Sequence, residues 1–99
     1  RLLASPEEPS AHVFHLYVVT CEQRDELQAH LEQSQVQSNI HYPIPIHHQE
    51  PCRDVARDAQ GLKNTDRHAA TCLSLPCHPQ MTDGDIETVI AAVNSFQLA

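Results

Sequence analysis

Eight histidines and four cysteines are the residues of this 99-residue chain best suited to bind or react. Half of them gather in two stretches. Ser38-Asn-Ile-His-Tyr-Pro-Ile-Pro-Ile-His-His-Gln49 carries His41, His47 and His48 beside Tyr42, and Cys72-x4-Cys77-His78 sets two thiols near an imidazole. Zinc would be the first chemistry to test, yet structural zinc sites place their ligands in tight pairs such as C-x2-4-C with H-x3-5-H. Cys72 falls in a strand-like run, Cys77 follows a proline, and no spacing draws the other ligands into one tetrahedron, so no metal site is expected. A Cys77–His78 nucleophile pair fares no better, because thiols are activated by neighbours in space and not in sequence. No G-x-S-x-G or H-E-x-x-H occurs, and two glycines are too few for a phosphate-cradling loop. Asp83 and Asp85 stand where helix capping explains them, and Lys63, the only lysine, lies in a polar stretch unsuited to a desolvated Schiff base. These residues make no complete catalytic set, and no catalytic residue is assigned.

The proline-rich stretch carries the remaining chemistry. Pro43 and Pro45 lack amide donors and fix φ, which excludes a helix interior or a central strand. Each also pushes its predecessor, Tyr42 or Ile44, toward extended geometry. A stiff loop leaving a strand at Ile40 and displaying His41, Tyr42 and His47 is therefore expected. Such a loop serves either as a binding surface or as a connector whose histidines are merely solvated.

The elements that must hold this loop are few. The length allows one domain with a modest core, burying roughly 60 to 65% of the surface of the unfolded chain. With no Trp, two Phe and two Tyr, that core must come from Val, Ile, Leu and Ala. A net charge of −7 with six scattered basic residues speaks against nucleic acid and against an anionic membrane surface. No apolar run spans a bilayer and no signal-peptide pattern appears, so a soluble cytoplasmic protein with reduced cysteines is expected. Residues 1–11, with Pro6 and Pro9, read as an incoming linker and the chain as a piece of a longer one.

His12 to Cys21 gives the strongest strand signal, dense in β-branched and aromatic residues. Glu22 to Ser34 follows as a helix with an acidic first turn and Leu27 and Leu31 on one face. Val36 to Ile40 is predicted as a second strand and Cys72 to Pro76 as a third, with one or two helical turns over Arg53–Ala59 and another over Asp66–Thr71. Thr82 and Asp85 resemble a capping box, behind which Ile86, Val89, Ile90, Val93 and Phe96 trace an amphipathic helix. The sum is an α+β fold: a small, mainly antiparallel three-stranded sheet with helices on one face.

Taken together, His15-Leu-Tyr-Val-Val, Arg24-Asp-x-Leu27-x3-Leu31, Ile40-His-Tyr-Pro-Ile-Pro-Ile-His47-x-Gln49 and Leu73-Ser-Leu-Pro76-x-His-Pro79-x-Met-Thr82-Asp83 resemble one family. It is the DegT/DnrJ/EryC1/StrS family of sugar-nucleotide aminotransferases, and the resemblance is to their C-terminal small domain. It implies a parent enzyme of fold type I that uses pyridoxal phosphate to move an amino group, usually from glutamate, onto a nucleotide-linked keto-sugar. It implies further that the parent is a homodimer and that its large domain, which holds the cofactor, lies outside these residues. The fragment alone would then be inactive and carry no cofactor. The same resemblance assigns a substrate-side role to His41, Tyr42 and His47, with His47 alternatively fixing the loop. A dehydratase relative and a free-standing binding module derived from this domain stay open as other outcomes. The chain departs from the family pattern at Gln35, where the family has a glycine ending the first helix. It departs also at Gln49-Glu50-Pro51-Cys52, which lacks the usual aromatic, and at Lys63, which replaces a proline.

Overall fold

Tyr17-Val18-Val19-Thr20 is the one four-residue run in which β-branched side chains meet a partner of matching length. It forms β1 (Tyr17–Thr20), paired antiparallel with β2 (Cys72–Leu75) in the register Tyr17↔Leu75 to Thr20↔Cys72. The computed structural model describes residues 1–97. Among them three helices complete the fold: α1 (Arg24–Gln33), α2 (Lys63–Thr71) and α3 (Asp83–Ser95). None is long and apolar enough to cross a membrane.

The sheet has two strands, not the three expected. β1 begins at Tyr17, opposite Leu75, and not at His12. The chain before it leaves extended geometry instead: Phe14 adopts φ +48, and its N–H turns to His12 Nδ1 at 2.7 Å. The predicted strand over Val36–Ile40 shrinks to one bridge, in which Asn39 and Ser74 exchange backbone bonds of 3.0 and 2.7 Å. Val36 is drawn away from that pairing because it is buried in the core. On the other side of the ribbon, Leu2 bridges Val19 and the Thr20 N–H donates to the Arg1 carbonyl at 2.8 Å.

The core is built where the two pleats meet two helices. Val19 and Leu73, direct partners across the ribbon, pack with Leu27 and Leu31 of α1, Val36 and Ala92 of α3. Leu31 and Leu73 are fully buried, each contributing about 1.5–3 kcal/mol of apolar transfer. His30 Nε2 ties the two helices together, 3.1 Å from the Ala92 carbonyl and 3.0 Å from Ser95 Oγ. Alternation sends Cys72 and Ser74 to the opposite side of β2, where both are still buried.

Helix ends follow local chemistry. α1 closes in a Schellman motif: the Val36 N–H donates to the Leu31 carbonyl and the Gln35 N–H to the Glu32 carbonyl, both at 2.9 Å. That geometry needs a left-handed residue, and Gln35 supplies it at φ +59. At the start of α3 the capping box forms as expected, Thr82 Oγ1 accepting from the Asp85 N–H while Asp85 Oδ2 accepts from the Thr82 N–H. The buried stripe of α3 is rotated from the expected one, however. Val89, Ala92, Val93 and Phe96 pack inward, whereas Ile86 and Ile90 are 45% and 52% exposed. α2 is a full helix where the sequence suggested a turn beginning at Asp66, and its buried face consists of Ala69 and Thr71.

Candidate functional site

The Asn39–Ser74 bridge fixes where the proline loop starts. Two residues on, His41 Nδ1 hydrogen-bonds Ser74 Oγ at 3.0 Å, on the side of β2 turned away from the helical core. The Cys72 thiol lies 3.7 Å from the His41 carbonyl, so both ends of this residue rest on buried groups of one strand. The following peptide, His41–Tyr42, is cis. Tyr42 meets His41 edge to face at a ring separation of 5.4 Å and is 71% exposed.

His41 and Ser74 belong to the wall of an open cleft of about 1170 Å³ that runs between α1, α3 and the segment after β2. Asn39, Cys77 and His78 add further polar groups to it, and the Ser38 hydroxyl on the same wall has no hydrogen-bond partner among the described residues. Asp85 marks the end of the cleft nearest α3. Its carboxylate accepts from the Thr82 backbone N–H at 2.8 Å and from the Thr82 hydroxyl at 2.7 Å. Those two bonds, with a smaller pull from His78, hold its pKa below the usual carboxylate value. Among the described residues, no lysine or arginine lines the cleft. Lys63, at the first residue of α2, is exposed and lies outside it.

His47 sits elsewhere. Pro45 starts a 3-10 turn over Ile46–His48, and from it His47 Nε2 reaches Asp66 Oδ1 on α2 at 2.7 Å. The His47 side chain is 11% exposed. His48, on the same turn, points its Nε2 at the same Asp66 oxygen from 3.4 Å, with the two rings 4.2 Å apart. Of the three residues singled out from sequence, His41 and Tyr42 therefore stand together beside the cleft, and His47 is tied to α2. Ser74, Asn39 and Asp66 complete these arrangements and were not anticipated. Asp66 was placed only in a helical turn, and nothing in its neighbourhood marks it as the partner of a histidine 19 residues earlier.

A second tie joins α2 to the β1–α1 junction, where Arg67 Nη2 donates to Glu22 Oε1 at 2.6 Å. The hydrogen bond and the charge of Glu22 raise the Arg67 pKa further. Arg24 Nη1 donates to the Ala69 and Cys72 carbonyls at 3.2 and 3.3 Å, closing the gap between α1 and the start of β2.

Comparison with known proteins adds the larger frame. The model of the DegT/DnrJ/EryC1/StrS aminotransferase family matches residues 1–94. The chain is 32% identical over 94 residues to a dTDP-3-amino-3,6-dideoxy-alpha-D-galactopyranose transaminase of Aneurinibacillus thermoaerophilus, covering 95% of this chain and 25% of that protein. It is also 32% identical over 83 residues to a UDP-2-acetamido-2-deoxy-3-oxo-D-glucuronate aminotransferase of Pseudomonas aeruginosa, covering 84% of this chain and 22% of that one. Among solved structures, Streptomyces venezuelae DesV in complex with a ketimine intermediate superposes with a TM-score of 0.79 at 33% identity, over 92% of this chain and 24% of DesV. The chain thus spans about a quarter of the length of the relatives it matches.

Proposed function

The chain belongs to the DegT/DnrJ/EryC1/StrS aminotransferase family, and on that premise we propose that it is the C-terminal small domain of an enzyme that aminates a nucleotide-linked keto-sugar, with L-glutamate as amino donor. The family depends on pyridoxal phosphate. Within these residues the groups that would hold that cofactor do not come together: the cleft has neither a lysine for an imine nor an arginine for a phosphate. We assign the cofactor to a large domain beyond this chain and route no step through it here. The isolated chain is accordingly inactive in this proposal, and the whole enzyme is a cytoplasmic homodimer. Both dTDP- and UDP-sugar enzymes are among its relatives, so the proposal specifies a nucleoside-diphosphate sugar and not one base.

The observation that carries the role of this domain is the seating of His41 on Ser74 with Tyr42 beside it, 71% exposed. A phenol and an imidazole held side by side offer donor and acceptor positions for sugar hydroxyls or phosphate oxygens. His47, bonded to Asp66, keeps the loop that carries them in place. Exposed Ile44 and Ile46 on the loop, with Ile86 and Ile90 on α3, supply apolar surface for the large domain to cover.

The test is made in the whole enzyme. Tyr42→Phe removes one hydroxyl and should raise KM for the sugar nucleotide about two- to tenfold, the equivalent of one hydrogen bond, while the cofactor's absorbance is unchanged. If Tyr42→Phe and His41→Asn both leave kcat/KM for the sugar nucleotide unaltered, the substrate-side role is wrong.

A further inference from the structure

We propose that His47, His48 and Asp66 form a binding site for a zinc-class divalent cation that clips the proline loop to α2. The site is independent of the cleft and of the function proposed for it. One ligand-type atom from each residue lies within 4.8 Å of the others, and both Nε2 atoms approach the same Asp66 oxygen. A hydrogen bond explains only part of this. His47 at 2.7 Å from Asp66 Oδ1 is an ordinary donor–acceptor pair. His48 approaches the same oxygen at 3.4 Å, beyond the usual N–H···O range, so hydrogen bonding leaves its convergence unaccounted for.

A metal ion accounts for both rings. With metal–ligand distances of roughly 2.0–2.2 Å, the ligand atoms of a tetrahedral zinc site stand about 3.3 Å apart. The His48–Asp66 separation of 3.4 Å already matches, and the His47–Asp66 contact of 2.7 Å must open by about half an ångström. Asp66 and His48 have the freedom to do so, with side chains 44% and 53% exposed. Their exposure also leaves the fourth position to water. Two imidazoles with one carboxylate suit zinc and its late first-row neighbours, whereas calcium and magnesium take oxygen ligands. The scaffold favours preformation: both histidines stand on one short turn after Pro45, and Asp66 is set by a helix. Cys72, Cys77 and His78, which with His47 and His48 gave the sequence its zinc-like look, are no part of the cluster.

The experiment is a titration of the reduced, chelator-stripped protein with Zn²⁺ against a chromophoric competitor, repeated with Co²⁺ as a spectroscopic substitute. One equivalent should bind, and the cobalt spectrum should show ligand-field bands without thiolate charge transfer. His48→Ala and Asp66→Asn should each weaken binding about tenfold or more, while His78→Ala leaves it unchanged. His48 is half-exposed, so its truncation spares the core, and circular dichroism verifies that the variant is folded. Absence of a stoichiometric equivalent, equal affinity in folded His48→Ala, or a cobalt–thiolate band would each overturn the proposal.

Discussion

Cutting the bond between His47 and Asp66 should release the proline loop without unfolding the core. Little else holds that loop from the outside. Tyr42, Ile44 and Ile46 are all more than half exposed, so the segment gains little from apolar burial. Its other ties are the His41–Ser74 bond, the 3.7 Å contact of the Cys72 thiol with the His41 carbonyl, the 3.4 Å approach of His48 to Asp66, and a 3.3 Å bond from Gln49 Nε2 to the Ile44 carbonyl, which lies within the loop itself. The strength of the His47 tie follows from its surroundings. A hydrogen bond to a charged group contributes about 1.5–3 kcal/mol when well shielded, and an exposed ion pair contributes about 0–1 kcal/mol. Here the imidazole side chain is 11% exposed and the carboxylate 44%, so the pair falls between these limits. We expect a coupling of about 1–1.5 kcal/mol, close to a tenfold rise in the population of the open loop. The assay is native-state hydrogen exchange at amides of residues 46–52 in wild type, His47→Ala, Asp66→Ala and the double variant, with a chelator present throughout. Exchange of the Leu31 and Leu73 amides reports on the core and should change far less. A coupling under about 0.3 kcal/mol, the ordinary error of additivity, would refute the assignment of His47 as the loop's anchor.

Other consequences are open to equally direct tests. Gln35→Gly removes a side chain from a left-handed residue and should raise stability by about 0.5–1 kcal/mol in urea unfolding. A loss of stability would show that the Gln35 side chain contributes more than its backbone costs. The Asp85 carboxyl, lowered first by the Thr82 backbone N–H, contributes stability that is fully present above the ordinary carboxylate range and fades as pH falls through its depressed value. Wild type should therefore exceed Asp85→Asn at neutral pH, and the two stability curves should converge on acidification. Parallel curves would show that the carboxylate's charge adds nothing to the cap. The Tyr42→Phe effect on KM completes the set and separates a substrate contact from a merely exposed ring.

What could be read from the chain alone was what is decided within four or five residues. The capping box at Thr82 and Asp85 is such a case, and so are the acidic first turn and Leu27–Leu31 face of α1. Strand length is different, since a strand extends only as far as its partner can answer. The ladder ends at Tyr17 opposite Leu75, and the chain before it has already left extended geometry at Phe14. α2 was underestimated because its buried face is Ala69 and Thr71, too small and too polar to register as an apolar stripe. The loop residues were found because their types are unusual, and His41 and Tyr42 do stand together. The partners Ser74 and Asp66 come from 33 and 19 residues away, and only the fold brings them near.

The two bridges beside the β1–β2 ribbon have a consequence for solubility. A two-stranded sheet presents two open edges, and each is a row of unpaired amides and carbonyls on which another chain can template a strand. In this molecule Leu2 occupies the β1 edge, and Asn39 occupies the β2 edge through both of its backbone groups. Each guard is barely a residue long, too short to extend the sheet and sufficient to deny a foreign strand its register. The prolines that follow Asn39 keep that guard from growing into a third strand. The stretch that displays His41 and Tyr42 thus also shields the domain from aggregation, and variants that loosen it endanger solubility along with any ligand contact.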